Sequence, residues 1–189
     1  MLPWQLFANA FAGSGGSLVG NANLISKVYF PRLVIPASAV IVGFVDFLIS
    51  SLILIGLMAW YHYLPDWRII VLPAYILLTL MIALGSGLWI AALNVRYRDF
   101  QHIVPFIVQF GLYISPVGFS SNVVPERWRV LYAANPLVGV IDGFRWTLMH
   151  GAVPIDWQTL QLSFWVTLLI LFSGIRYFRK TERTFADMI

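Results

Sequence analysis

The sequence predicts an all-α fold: a polytopic transmembrane helix bundle with a pair of short outer interfacial or re-entrant helices. Three observations carry that reading. Five apolar stretches, at about 4–26, 33–61, 69–93, 103–119 and 157–175, fill most of the 189 residues and hold one charged side chain between them, Asp46. Runs of about 18 or more apolar residues are long enough to cross the hydrocarbon core of a bilayer. Only 11% of the chain is charged and 60% is hydrophobic, whereas soluble domains carry roughly 25% charged residues. A water-soluble fold of this composition would lack the polar surface to cover itself. Finally, the basic residues sit between the stretches and favour one side.

The polar connections are 21–32, 62–68, 94–102, 120–156 and 176–189. The first, third and last carry eight basic residues: Lys27, Arg32, Arg96, Arg98, Arg176, Arg179, Lys180 and Arg183. The second and fourth carry four, Arg68, Arg127, Arg129 and Arg145, matched by Asp66, Glu126, Asp142 and Asp156. The excess of Lys and Arg places the first, third and last connections in the cytoplasm, and strict alternation of five spans gives the same sides. Residues 1–189 thus read as a single transmembrane domain with a cytoplasmic tail at 176–189. This leaves residue 1 outside, at the edge of a span and with no charge near it. The expectation is a chain lacking an upstream span and cytoplasmic segment. The net charge of +4 does not point to nucleic acid, because the cations flank apolar runs instead of clustering on a soluble face. With no cysteine there is no disulfide framework, thiolate metal site or cysteine nucleophile.

The first stretch is rich in small residues, with Gly13, Ser14, Gly15, Gly16, Ser17 and Gly20, which let helix backbones approach closely in lipid. The second is long: its residues would reach about 43 Å along a helix, beyond a core of about 30 Å, and Pro36 suits its first turn. Asp46 falls near its middle, where a charge facing lipid costs roughly 2.5–3.5 kcal/mol. It is expected to face the bundle interior, to be paired or to be protonated, as a gate or relay residue or as a buried helix–helix hydrogen bond. The third stretch carries Gly85-Ser86-Gly87 and Trp89 near its inner end. The fourth is barely long enough to span and is bracketed by Pro105 and Pro116. In the connection that follows, Pro125 opens a helix over about 125–134, and Asn135-Pro136 opens a second over about 136–150, asparagine as N-cap and proline at N1. Leu137, Val140, Ile141, Phe144 and Leu148 form one apolar face of that helix. Asp142 and Arg145 pair on another face, and Gly151 ends it. Both helices are too polar to span and too apolar for free water, so they are expected to dip into the outer leaflet beside the exit of a pathway. Trp4, Trp60, Tyr61, Tyr63, Trp67, Trp128, Trp146 and Trp157 gather at the outer boundary as an interfacial belt.

Phosphate-loop, H-E-x-x-H and G-x-S-x-G patterns are absent, so neither ATP binding by that loop nor metal or serine hydrolase chemistry is expected. His62, His102 and His150 are isolated at span ends, and no metal site is expected. An intramembrane enzyme is not expected. An intramembrane transferase or a secondary transporter is the alternative. The first would need grouped carboxylates or histidines; the second would need more ionisable groups at mid-depth than Asp46.

The segment from Asn21 to Arg32, with Asn23, Lys27, Tyr29, Phe30, Pro31 and Arg32, resembles the first cytoplasmic loop of polysaccharide-export permeases of the type-2 ABC transporters. Those are the membrane subunits for O-antigen, teichoic acid and capsule export. Asn94-Val95-Arg96-Tyr97-Arg98-Asp99-Phe100 is similar to their second cytoplasmic loop, and Val124-Pro125-Glu126 with Asn135-Pro136-Leu137 to their outer helix pair. The resemblance runs from about residue 2 to 180. It implies six spans with both termini cytoplasmic in the family, of which the N-terminal amphipathic helix and first span are not in this sequence. It further implies a permease homodimer in the bilayer of a bacterial inner membrane and a polyprenyl-pyrophosphate-linked glycan as substrate. The same resemblance implies a separate ATP-binding cassette ATPase that binds ATP and Mg, with no cofactor in this chain. Lys27, Tyr29, Phe30 and Arg32, together with Arg96, Tyr97, Arg98 and Asp99, would then couple to that ATPase. Asp46, Arg127, Arg129 and Arg145 are candidates for the substrate path or gate, the arginines by bidentate contact with phosphate.

The absence of cysteine makes the topology directly readable. Single substitutions His62→Cys and Thr184→Cys are expected to react with a membrane-impermeant maleimide from opposite sides of sealed vesicles; labelling from the same side overturns the topology.

Overall fold

A computed structural model describes residues 1–27, 30–63, 65–97, 99–151 and 154–182, the side chains of residues 25–27, 122 and 126 excepted. Of the candidate residues, Tyr29 and Arg98 lie outside the described residues, as do the side chain of Lys27 and residues 183–189 of the tail. The helices are α1 (Leu2–Gly20), α2 (Ala22–Lys27), α3 (Val34–Trp60), α4 (Leu72–Arg96), α5 (Phe100–Ile114), α6 (Glu126–Ala133), α7 (Pro136–Leu148) and α8 (Trp157–Thr181). Short 3₁₀ turns at Trp67–Val71 and Ser121–Val123 link them, and no strand occurs among the described residues. Three helical segments are long and apolar enough to cross a membrane: Val34–Trp60, Trp67–Arg96 and Trp157–Thr181.

The stretch at 4–26 divides into two helices. The Asn21 side-chain amide donates to the Ser17 carbonyl at 2.8 Å, taking up one of the acceptors left open at a helix end, and α2 starts after that turn. α1 lies at the centre of the bundle against α3, α4, α5 and α7, with Leu6, Ala10, Phe11, Ser14 and Leu18 buried. Small residues set its distance from its neighbours. A Cβ on Gly43 of α3 would stand 3.0 Å from the Ala10 amide nitrogen, and one on Gly87 of α4 would stand 2.5 Å from Ser14 Oγ. The α4–α8 crossing is made the same way: a Cβ on Gly85 would stand 2.7 Å from Leu171 Cα, while Gly174 faces the Gly85 carbonyl directly. Asn94 adds a buried hydrogen bond across α1 and α4, its amide donating to the Gly15 carbonyl at 2.7 Å.

The fourth apolar stretch is not a full-length spanning helix. α5 has 15 residues, about 22 Å of helix, and ends before the 119 expected from the sequence. Ser115 precedes Pro116, and the residue before a proline is driven out of the α region; Ser115 accordingly adopts ψ 150° and closes the helix. Pro105 inside α5 removes a further backbone hydrogen bond. The last stretch departs in the other direction. α8 continues to Thr181, so Arg176, Arg179 and Lys180, expected at the start of a tail, are the helix's final turns. Cations are favourable there beside the negative end of the helix dipole.

α7 is inserted between the long helices and is not laid on their surface. Its residues Leu137, Val138, Val140, Ile141 and Phe144 are buried. A Cβ on Gly139 would stand 2.5 Å from Ser163 Oγ of α8. Asn135 caps the helix by accepting from the Leu137 amide at 3.1 Å, with Pro136 following. Gly151, at φ 74°, turns the chain away. A latch joins the C-terminal end of α7 to the turn between α3 and α4. Tyr63 stacks on His150 with ring centres 4.6 Å apart and donates to the Leu148 carbonyl at 2.9 Å; the Arg68 guanidinium lies 5.0 Å from the Trp146 ring centre. By contrast α6 is largely exposed. Trp60, Tyr61, Trp67, Trp128 and Trp157 of the expected belt are exposed, whereas Trp4 is buried in the core.

The interior orientation expected for Asp46 is not observed. It is exposed on α3, flanked by exposed Val42, Val45, Ile49 and Ile53. α3 is apolar on every side, so the hydrophobic pattern offers no preferred face. Burial is decided instead by Gly43 and Phe47, which meet α1 and Phe144.

Close packing at Gly174 gives a sharp expectation. Gly174→Leu should lower stability in detergent by about 1–3 kcal/mol, the usual cost of overpacking. Gly16→Ala, with nothing within 4 Å of the added carbon, should leave stability unchanged or raise it by up to about 1 kcal/mol. Thermal unfolding of the two variants side by side reads the difference.

Candidate functional site

At the end of the bundle where α4 and α8 finish, two connections and the last turns of α8 come together. The α4–α5 turn presents Arg96, Tyr97 and Asp99 at the surface. The Arg96 guanidinium lies 5.3 Å from the Tyr97 ring centre, and Tyr97 in turn lies 6.2 Å from the Phe100 ring. The turn is held by Tyr97 N–H donating to the Leu93 carbonyl at 2.7 Å and Phe100 N–H to the Tyr97 carbonyl at 3.1 Å. The result is a charged and aromatic knob at the end of α4.

The connection between α2 and α3 is built differently. Phe30 packs against a buried cluster of Leu18, Ile35, Leu88, Ala91, Ala92, Val95 and Phe178. Arg32 donates to the Glu182 carbonyl just after α8. Phe30 and Arg32, two of the expected ATPase-coupling residues, thus bind this connection to α4 and α8. Sequence reasoning missed the contact of Trp89 with Tyr177, stacked at 4.1 Å with an interplanar angle of 11°, and Trp89 Nε1 donating to Ser173 Oγ at 3.2 Å. An indole one turn past Gly85 was the available signal. Arg176, Arg179 and Lys180 line a hollow of about 500 Å³ on α8 with Phe172 and Ile175, so this end is strongly basic.

At the opposite end the three candidate arginines have separate surroundings. Arg145 is a structural clasp. It donates to the Val117 carbonyl at 2.9 Å and the Phe119 carbonyl at 2.7 Å, and lies 3.6 Å from the Asp142 carboxylate. It thereby ties the segment after α5 to α7. Arg127 lies over the adjacent Trp128 ring at 5.9 Å. Arg129 stands near Asp156, the N-cap of α8, whose carboxylate accepts from the Gln158 amide at 3.0 Å and the Thr159 hydroxyl at 2.7 Å. Burial pushes the Asp156 carboxyl up, but these hydrogen bonds and the charge of Arg129 outweigh it and hold the group below its ordinary value. Tyr132 behind them is pushed up to about 12, by burial first and by the Asp142 charge second, with Arg145 opposing. Asp46 is remote in sequence from all three and sits half-way along α3; the structure does not unite the four into one site.

Residues 1–149 match the family described as ABC-2 type transporter. The whole chain is 27% identical to the O-antigen export system permease protein RfbA of Myxococcus xanthus, covering 73% of that protein. It is similarly 25% and 26% identical to two O-antigen export system permease proteins RfbA of Klebsiella pneumoniae, again over the whole chain and 73% of each. A bundle joined through small-residue crossings, with a basic, aromatic rim at one end and an inserted helix at the other, is the arrangement that accompanies this match: the chain belongs to the ABC-2 type transporter family of membrane proteins.

Proposed function

We propose that the chain is the permease subunit of an ATP-driven exporter that moves a lipid-linked polysaccharide from the cytoplasm to the outer side of a bacterial inner membrane. In this reading it is a multi-pass protein that works as a homodimer. The observation that carries the reading is the exposed Arg96–Tyr97–Asp99 knob beside a connection anchored by Phe30 and Arg32, in a chain similar along its length to permeases named for O-antigen export. The knob offers an ATPase subunit charge and an aromatic face, and the anchored connection passes any displacement to α4 and α8. The sequence has no phosphate loop, so ATP and Mg would be bound by the partner. The substrate would carry a polyprenyl pyrophosphate, and the basic end of α8 gives its phosphates a favourable field on the cytoplasmic side.

Asp46 enters this reading through its exposure. A carboxylate in the middle of an apolar helix face is costly against lipid, so a donor in the assembled exporter must meet it, from a second copy or from a hydrated pathway.

Two outcomes follow. Reversing Arg96 and Arg98 together to glutamate should weaken association with the ATPase by at least about tenfold, worth about 1.4 kcal/mol, while membrane insertion is kept. Co-purification from the same membranes measures it, and unchanged association removes this turn from the docking surface. Asp46→Asn should insert normally yet export polysaccharide more slowly in a surface-glycan assay; undiminished export would leave Asp46 a packing residue.

A further inference from the structure

Where α6 meets the first turns of α8, two hollows share Arg129, Asp156 and Thr159 as a common wall. The larger is about 400 Å³, within the size range of small-ligand pockets. Gln158 sits on its polar side, and Val130, Ala133 and Leu162 form an apolar side. The smaller, about 30 Å³, reaches Tyr132 and Asp142 and has room for about one water molecule.

Some polar groups around these hollows are incompletely bonded among the described residues. Tyr132 Oη is buried without a hydrogen bond, and Asp142 Oδ1, also buried without one, has the 3.6 Å ion pair with Arg145. Arg129 forms neither an ion pair nor a hydrogen bond among the described residues, although its guanidinium carries five donors. Asp156 is committed to capping α8 and does not neutralise it by contact. A buried polar group left unpaired costs about 1–3 kcal/mol, which favours a water against Tyr132 and Asp142 in the smaller hollow; the half-buried Arg129 guanidinium is the open set of donors in the larger one.

Charge decides which kind of molecule. Around the two hollows Arg129 and Arg145 are balanced by Asp142 and Asp156. A phosphate or other anion approaching Arg129 meets the Asp156 carboxylate as well, so the site has no net pull on it. A neutral polyol suits the site better. Adjacent ring hydroxyls can accept from the Arg129 guanidinium and bond the Gln158 amide, while the ring's C–H face rests on Val130 and Leu162.

We propose that this pocket binds neutral sugar residues of the exported glycan, as it leaves at the α7 end of the bundle. The inference rests on the polysaccharide-export reading and replaces a phosphate role for Arg129 with a hydroxyl-binding one.

The test is saturation-transfer NMR on the full chain in a detergent without a sugar head group. The probes are the methyl glycosides of glucose, galactose, mannose and N-acetylglucosamine. At least one should receive saturation, and Arg129→Leu and Gln158→Leu should each weaken its binding by about tenfold. Gly16→Ala, in α1 with nothing within 4 Å of the added carbon, should leave it unchanged, and inorganic pyrophosphate should not displace it. Displacement by pyrophosphate would make the site an anion site and overturn the proposal. So would binding that survives both pocket substitutions, or no transfer to any glycoside by protein with native thermal unfolding. Retained association with the ATPase in that last case would separate failure of the pocket from failure of the export reading.

Discussion

The whole arrangement depends on how closely its helix backbones approach. In lipid there is little hydrophobic gain in bringing two apolar helices together, so association rests on packing and on the hydrogen bonds that short separations allow. Gly43 against Ala10, Gly87 against Ser14, Gly85 against Gly174 and Gly139 against Ser163 put a missing side chain at each principal crossing. Asn94 can reach the Gly15 carbonyl only because α1 and α4 are this close. The central position of α1, which is less apolar than α3, α4 and α5, is the result: a helix with serines and glycines is at home where backbones surround it.

That framework holds its two ends in different ways. At the basic end, Phe30, Arg32, Trp89 and Tyr177 gather the first connection, α4 and α8 into one body, leaving the Arg96–Tyr97 turn to stand out as a handle. At the other end α7 is held from two sides, by Arg145 to the segment after α5 and by Tyr63 and Arg68 to the turn before α4. Because α4 reaches both regions, a displacement at the handle has a short covalent and packed route to α7.

Much of this was legible in the sequence, for definable reasons. Long apolar runs announce α3, α4 and α8 because bilayer thickness sets a minimum length. Asn135-Pro136 announced α7 because side-chain capping and a proline's missing N–H are local properties. What a run of apolar residues does not encode is direction. α3 has no polar face to contrast with an apolar one, so which way Asp46 turns depends on the tertiary contacts of Gly43 and Phe47 and was not encoded locally. Ser115-Pro116 carried the signal that ends α5, while apolar residues continuing to Phe119 carried the stretch past it. The inward packing of Phe30 was hidden because an aromatic in a basic loop looks the same whether it is displayed or anchored. The pocket at Arg129 was legible only as three separate arginines, since Thr159 and Gln158 are 30 and 29 positions away along the chain.

The brevity of α5 has a bearing on the surrounding bilayer. Its 15 residues provide about 22 Å of rod beside neighbours long enough for a hydrocarbon layer of about 30 Å. A rod this short is met by thinning of the bilayer beside it, by flanking side chains that reach outward or by a neighbouring protein, at a cost of fractions of a kcal/mol per Å of mismatch. One proline, placed after Ser115, would thus shape the solvent as well as the protein.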